Sequence, residues 1–314
     1  MKNLLAIVAL LISFTCFSQE FQLSKTDKKI IDSLNTLLSK PQSDSLKSIV
    51  HFKLSLIYGK NKNKNLSKKH LQKANKLIND NAYLKDISLY YNAINLELSE
   101  ASVKELQAAN DKLKKYNSNE VYSIRTKIYS NIGLFLQRQN KTLEAIKIFT
   151  TKAIPLAKKA NNNQELAFLY KLIALVFYNN DDITQAADYL DLSIKTLEEK
   201  PINNAGYEKD LIETYLFYTE VLSVQKNSKK GEYFLSKAKS LLKKNMDPNL
   251  YLEYYFAEGA LLHERKDYAS EIKIYDKGIA LARSTNDYYA DIRFNLLKFD
   301  ILRLQKNIQQ RKIY

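Results

Sequence analysis

Small and apolar residues recur along the chain at fixed offsets that suit pairs of packed helices. A small residue is followed twelve positions later by a second interface position, and four further on by an aromatic residue or Leu. The template occurs at Gly133, Ala145 and Phe149, at Ala174, Ala186 and Leu190, and at Gly259, Glu271 and Tyr275. Because it returns after about forty residues, it predicts a solenoid of stacked helix pairs.

The third unit shows how the pattern predicts two helices. Apolar positions at helical spacing extend over about 123–138 and 142–159, and the polar residues 139–141 separate them. Gly133 and Ala145 are small where the two helices must approach to roughly 8–10 Å. Phe149 then continues the buried stripe of the second helix.

The same offsets divide the chain into units 44–80, 81–118, 119–161, 162–203, 204–246, 247–285 and an incomplete unit 286–314. In the second unit Tyr90 stands where a small residue is expected, which leaves the register before Asn119 open. The residues expected to pack helix against helix are Gly133, Ala145, Phe149, Ala174, Ala186, Leu190, Thr219, Gly231, Leu235, Gly259, Tyr275 and Gly278.

The N-terminus predicts export. Lys2 precedes an apolar run over 4–14, and Cys16, Phe17 and Ser18 form the cleavage region that follows it. Residues 1–18 therefore resemble a signal peptide, and their apolar run is too short to span a membrane. Residues 19–43 are expected to form a lead-in helix. A lipoprotein signal with acylated Cys16 is the alternative, but the residues before Cys16 are not the small ones that such a signal needs. We therefore expect a periplasmic or secreted protein without a later membrane span.

Composition and charge limit the classes of partner that we expect the chain to bind. The chain carries a formal charge of +15, but Lys heavily outnumbers Arg and is spread along the helices, so we expect solvated lysines and no nucleic-acid partner. Cys16 is the single cysteine, so cleavage after Ser18 would exclude disulfides and thiolate chemistry. Six Gly and four Pro in 314 residues favour a helical fold.

The pattern resembles the tetratricopeptide repeat (TPR) family, most closely over 267–278. The resemblance implies an all-α, right-handed superhelical solenoid of antiparallel helix pairs with about six to seven repeats. The small positions 133, 174, 219 and 259 are 41, 45 and 40 residues apart, against about 34 in that family, which favours an extended subtype. Such extended repeats are similar to the periplasmic repeat domain of one-piece bacterial sensor regulators.

In TPR proteins ligands usually lie in the concave groove lined by the first helix of each unit, which implies a partner-binding surface on those helices. The residues that project there are Lys127, Gln137, Arg138, Phe168, Lys171, Tyr178, Glu213, Glu220, Phe256 and His263. This mixture suits an extended peptide or a partner helix. The carboxylate clamp of chaperone-binding members is not expected, because Leu175 replaces its Asn and Glu213 and Glu220 oppose an acidic ligand.

Catalytic and metal-binding motifs are missing from the sequence. His263-Glu264 begins like a zinc-protease motif, but Asp267 stands where the second His is required. We therefore expect no enzyme, no cofactor and no metal site. Two functions remain: an exported scaffold that binds a protein or peptide, or the periplasmic sensor part of a regulator that lacks its membrane and output segments.

The last helix has no sequential partner. Its apolar face, formed by Phe294, Leu297, Ile301 and Leu304, is expected to pack back on the sixth unit and cap the array. The alternative is a docking face that supports self-association.

Overall fold

The computed structural model describes residues 25–199, 205–242 and 247–311, and the predicted signal peptide lies outside them. In these ranges all regular structure is helical, and the predicted all-α superhelical repeat fold is confirmed. The helices are α1 (Lys25–Ser39), α2 (Asp44–Lys60), α3 (Lys64–Lys76), α4 (Ala82–Ile94), α5 (Glu100–Leu113), α6 (Asn119–Arg138), α7 (Thr142–Ile148), α8 (Ile154–Lys159), α9 (Asn163–Tyr178), α10 (Ile183–Glu199), α11 (Ala205–Val224), α12 (Ser228–Leu241), α13 (Pro248–Glu264), α14 (Tyr268–Ser284) and α15 (Tyr288–Arg311).

Consecutive helices form the pairs of the solenoid. α7 and α8 are joined by the π-helical turn Phe149–Ala153 and act as one second helix against α6. The other pairs are α2 with α3, α4 with α5, α9 with α10, α11 with α12, and α13 with α14. First helices also contact each other from unit to unit, as α6 does with α9, α9 with α11, and α11 with α13. They therefore form a common surface, which we call the inner wall.

A left-handed residue followed by a helix N-cap ends the first helix of most units. The left-handed residues are Lys62, Asn140, Asp181, Lys226 and Lys266. In the sixth unit Asp267 follows at once, and its carboxylate accepts a hydrogen bond from the Ser270 N–H at 3.2 Å. The left-handed residue stops one helix and an Asn or Asp side chain starts the next, except in the third unit, where Lys141 makes no side-chain cap. The polar breaks in the sequence thus become tight turns.

The residues at the template positions determine how closely the paired helices approach each other. A Cβ atom on Gly133 would lie 2.6 Å from Cζ of Phe149, and one on Gly259 would lie 2.8 Å from the Tyr275 hydroxyl oxygen. Either distance is shorter than a van der Waals contact, so the aromatic ring occupies the space that a side chain would need. In the fourth unit Ala174, Ala186 and Leu190 are all fully buried.

Two of the template glycines face the following unit instead. A Cβ on Gly231 would lie 2.6 Å from Leu261 of α13, and one on Gly278 would lie 2.6 Å from Phe294 of α15. Within the fifth unit the Thr219 hydroxyl lies 3.3 Å from the Gly231 carbonyl, while Leu235 is only half-buried. Glycine on a second helix therefore sets the spacing between units as well as within them.

The second unit keeps the template offsets despite its tyrosine. Tyr90 is buried, and so are Ser102 and Leu106, which follow it by twelve and sixteen positions. A small residue on the second helix accommodates the large one on the first, so the register of the repeats continues upstream of Asn119.

α15 packs on the sixth unit through part of its predicted face. Phe294 and Ile301 are buried, and the Phe294 ring stacks on Phe256 of α13 with 3.8 Å between the ring centroids. Leu297 is half-buried, but Leu304 is exposed and lies outside the packed face, which corrects that one position. Among the described helices, none is long and apolar enough to cross a membrane.

Candidate functional site

A cavity of about 910 Å³ opens between the last units of the inner wall. α11, α13, α14 and α15 form its walls, and Tyr178 reaches it from the end of α9. Its lining includes Tyr178, Glu220, Val224, Phe256, His263, Tyr268, Glu271, Tyr275, Arg293, Leu297, Asp300 and Ile301. The lining therefore combines aromatic and aliphatic surface with charged groups of both signs, which also include Lys226, Glu264 and Lys266.

Glu271 places a carboxylate inside the helix interface that borders the cavity. The residue is 1% exposed, and the Nδ1 atom of His263 lies 3.2 Å from both of its carboxylate oxygens. The Tyr275 hydroxyl also interacts with the Glu271 carboxylate, and the ring itself fits against Gly259. Burial raises the pKa of Glu271, and the contact with His263 opposes that rise.

Arg293 and Glu220 form a second charged group in the cavity. The Arg293 guanidinium carbon lies 3.9 Å from the centroid of the Phe256 ring, which is the geometry of a cation–π contact. Its Nη2 atom is 4.0 Å from Glu220 Oε2, the outer limit of an ion pair. Burial raises the pKa of Glu220 to about 7, and Arg293 counteracts only part of the effect. Glu220 is thus a carboxyl group with an incomplete set of partners.

Further along the inner wall, charges are distributed unequally. Glu213 is well paired, because Lys171 Nζ lies 2.7 Å and Lys209 Nζ 3.7 Å from its carboxylate oxygens. Lys209 also contacts Asp247 at 3.0 Å. Glu253 lies near Glu213 and Glu220, and desolvation followed by repulsion from Glu213 raises its pKa to about 7. Glu220 and Glu253 are therefore carboxyl groups that the nearby cations do not hold fully ionised near neutral pH, although the chain as a whole is basic.

The structure brings together four of the residues predicted for the groove: Tyr178, Glu220, Phe256 and His263 all line the cavity. Phe256 is nevertheless largely covered by its stack with Phe294 and by Arg293, so only part of the ring faces the open space.

The remaining predicted residues lie elsewhere on the first helices. Lys171 is paired with Glu213 and lies 5.8 Å from the ring of the exposed Phe168. Lys127 contacts Glu165 at 3.4 Å, an ion pair that links α6 to α9. Gln137 and Arg138 form the last residues of α6 and do not line the cavity.

Most lining residues of the cavity were missing from the predicted groove, and the sequence contained a signal for one of them, Glu271. Glu271 occupies the second template position, where the other units have Ser67, Ser102, Ala145, Ala186 and Gly231. A charged residue in a position that otherwise takes only small side chains departs from the packing rule, and such departures favour functional positions. Arg293 had no such signal, because it does not stand at a template position.

Metal binding finds no support in the described part of the chain. No group of three or more His, Cys, Asp or Glu side chains is arranged to hold a metal ion there. His51 and His70 do meet, with 3.0 Å between their Nδ1 atoms, but this pair lies between α2 and α3, far from the cavity in the repeat order.

Solved structures with the same fold are TPR-like helical repeat proteins. A Rap protein complexed with competence and sporulation factor has 16% identity and a TM-score of 0.56, covering 88% of this chain and 80% of that chain. The apo form of the quorum sensor NprR from B. thuringiensis has 14% identity and a TM-score of 0.52, covering 89% and 76%. The Rap conjugation gene regulator of the plasmid pLS20, in complex with the Phr* peptide, has 16% identity and a TM-score of 0.51, covering 92% and 82%. No protein-family model and no curated protein matches the chain. At these identities the likeness concerns the fold.

Proposed function

We propose that the chain is a non-catalytic TPR-like scaffold that binds a peptide or protein segment on its inner wall. The observation that carries the proposal is the cavity of about 910 Å³ at the end of this wall, with its apolar lining and incompletely paired Glu220. Two structures of similar fold, the Rap protein with competence and sporulation factor and the pLS20 regulator with Phr* peptide, contain a peptide or factor in complex.

The chemistry of the wall favours a basic, amphiphilic segment. An apolar side chain would enter the cavity beside Phe256 and Leu297, where it loses contact with water. A Lys or Arg side chain of the ligand would meet Glu220 and Glu253, the carboxyl groups that the chain's own cations leave underneutralised. The same groups repel acidic peptides, which gives the surface specificity as well as affinity.

Fluorescence anisotropy tests this proposal with two fluorescein-labelled peptide libraries. One library is built from Arg, Phe, Leu and Gly, and the other has Glu in place of Arg. We expect the basic library to bind, the acidic library to fail, and Glu220→Gln to weaken binding of the basic library about tenfold, as loss of one charged contact does. Glu105→Gln, on the exposed side of the second helix α5, is the matched control and leaves binding unchanged.

A scaffold that bound neither library would contradict a peptide-binding groove, and equal binding of both would contradict the role of Glu220. Binding that survives Glu220→Gln but is lost with Phe256→Ala would support the cavity as the binding site and contradict the electrostatic part of the proposal.

We further propose that the scaffold works outside the cytoplasm and belongs to the extended TPR subtype. The signal-peptide pattern of residues 1–18 and the steps of 40 to 45 residues between template positions support these two statements. Intact-mass measurement of protein recovered from the cell envelope tests export. A chain starting at Gln19 agrees with the proposal, a chain starting at Met1 contradicts it, and a lipid-sized increment on Cys16 would indicate anchoring.

A sensor function is the second candidate, in which the repeats detect a ligand for a regulator. Its support is that two solved structures of similar fold are a quorum sensor and a conjugation gene regulator, together with the similarity to repeat domains of bacterial regulators. Co-purification with a membrane protein that has an output domain, in a ligand-dependent amount, would favour this candidate over the simple scaffold.

A further inference from the structure

α15 has a second apolar face, and it points away from the solenoid. Tyr289 is 78% exposed, Ile292 61%, Leu296 60% and Phe299 60%. Their spacing of three, four and three residues is that of the a and d positions of a coiled coil, a seam that normally lies against another helix. The inner face of the same helix, through Phe294 and Ile301, is already packed against the sixth unit.

An exposed seam of this kind is unusual, because monomeric proteins rarely expose contiguous apolar patches. α1 follows this rule better, because its exposed side is mainly polar and its large apolar residues Ile30 and Leu37 are only 43% and 36% exposed. We therefore expect another protein surface to cover the exposed face of α15.

We propose that α15 packs antiparallel against the α15 helix of a second copy of this chain and forms a homodimer. The exposed seam is one continuous strip on one helix, so it can meet itself about a twofold axis, as isologous dimer interfaces do. With the axis between Leu296 and Phe299, each Leu296 packs on the Phe299 of the other copy.

Charges at the two ends of the helix select the antiparallel direction. Asp287 and Asp291 lie at the N-terminal end, where Arg283 already contacts Asp291 at 3.2 Å, while Arg303 and Lys306 lie toward the C-terminal end. Antiparallel packing brings the basic end of each copy to the acidic end of the other and places cations near the exposed ring of Tyr289. Parallel packing would place like charges opposite each other at both ends.

The exposed area agrees with a dimer interface. The four seam residues, with Tyr288 at 66% and Leu302 at 47% exposure, leave roughly 700–900 Å² of side-chain surface uncovered per copy, since a large aromatic residue can bury about 150–250 Å². A stable interface of standard size buries about 800 Å² per partner. The seam together with Tyr288 and Leu302 therefore supplies about what a dimer needs.

Dimerisation would also hold one wall of the cavity in place. Arg293, Leu297 and Ile301, which line it, lie on the inner face of α15. A partner helix on the outer face holds α15 in place and brings two cavities close to the twofold axis. The dimer itself does not depend on the proposed peptide binding.

Analytical ultracentrifugation at micromolar concentration tests the inference on the full chain. We expect the wild type to sediment as a dimer, and the Leu296→Glu and Phe299→Glu double variant to have half that mass with unchanged helical circular dichroism. Leu37→Glu on α1 is the matched control and remains dimeric. A monomeric wild type, or a dimer that the double variant leaves intact, overturns the inference; peptide binding by such a protein would leave the proposed function standing.

Cysteine cross-linking tests the helix direction in a Cys16→Ser background, which has no other cysteine. An oxidised mixture of Ile292→Cys and Arg303→Cys proteins should give the mixed disulfide as its main product. Disulfides of Ile292→Cys with itself as the main product would show parallel helices and overturn the antiparallel arrangement.

Discussion

Gly133 and Phe149 occupy the same space on facing helices: a Cβ atom on the glycine would lie 2.6 Å from the ring carbon Cζ of the phenylalanine. The contact joins α6 to the π-helical turn that follows α7. Gly259 and Tyr275 repeat this relationship in the sixth unit, and Ala174 with Leu190 is its smaller version in the fourth. The size of the second side chain therefore determines what the first position can hold.

Gly133→Ala is expected to destabilise the fold although alanine is the better helix former. The gain in helix propensity is about 1 kcal/mol, whereas overpacking a filled core costs about 1–3 kcal/mol. Thermal unfolding followed by circular dichroism should show a lower midpoint. Adding Phe149→Leu should recover part of the loss, because it recreates the Ala and Leu pair of the fourth unit. A single variant as stable as the wild type would show that the ring moves aside freely.

The repeat fold could be predicted from the sequence because the pattern that encodes it lies within single helix pairs. Twelve- and sixteen-residue offsets such as those from Gly133 follow from helix geometry and a tight turn, which neighbouring residues determine. Contacts between units depend on stacking that no short offset encodes, so Gly231 and Gly278 were assigned to the packing without their true partners. The cavity could not be predicted for the same reason. Arg293 and Glu220 belong to units that are two apart in the sequence, and only the completed solenoid brings them together.

Asn95 is expected to stabilise the contact between the first two units through buried hydroxyl groups. Its Oδ1 atom lies 2.6 Å from the Ser67 hydroxyl and 3.3 Å from that of Ser55. Asn95→Leu removes this acceptor, but Ser67 keeps the Ser55 carbonyl at 2.8 Å and the two hydroxyls keep each other at 3.2 Å. We therefore expect a loss of about 0.5–1.5 kcal/mol, as for one hydrogen bond, which urea unfolding should show. Asn92→Leu is the control, because the half-buried Asn92 bonds to Asn75 at 3.0 Å and lies outside the cluster of Ser55, Ser67 and Asn95.

A triple variant separates packing from hydrogen bonding at this site. Ser55→Ala and Ser67→Ala together with Asn95→Leu remove the donors as well as the acceptor. We expect the triple variant to be less stable than Asn95→Leu alone, because the bond from Ser67 to the Ser55 carbonyl and the bond between the two hydroxyls are then lost as well. A triple variant as stable as Asn95→Leu would show that these remaining hydroxyl bonds contribute nothing.

Glu220→Gln is expected to stabilise the protein at neutral and basic pH while it weakens peptide binding. The pKa of Glu220 is raised to about 7 from its ordinary value of 4.5. Ionisation is therefore more costly in the folded state, and stability falls as pH rises from about 4.5 through 7. The variant should be more stable by about 1–3 kcal/mol at about pH 8 and lose this advantage near pH 4.5. Equal urea midpoints for variant and wild type at both pH values would contradict a costly buried carboxylate.

The His51 and His70 pair is expected to give the opposite pH dependence at the other end of the solenoid. Burial, followed by the charges of His51 and Lys73, lowers the pKa of His70 to about 4 from 6.5. The neutral imidazole is favoured in the folded state, so its contribution to stability is complete above about pH 6.5 and is lost as pH falls toward 4.

Titration of the imidazole C2 proton by NMR measures this directly. We expect the His70 resonance to remain that of the neutral ring at about pH 5.5. His70→Gln should reduce the loss of stability between about pH 6.5 and 4 by roughly 1–2 kcal/mol, since the glutamine has no proton to take up. A His70 ring that titrates near 6.5 would mean that the space between α2 and α3 admits water, and the packing of the first unit would then be looser than its 3.0 Å contact between Nδ1 atoms indicates.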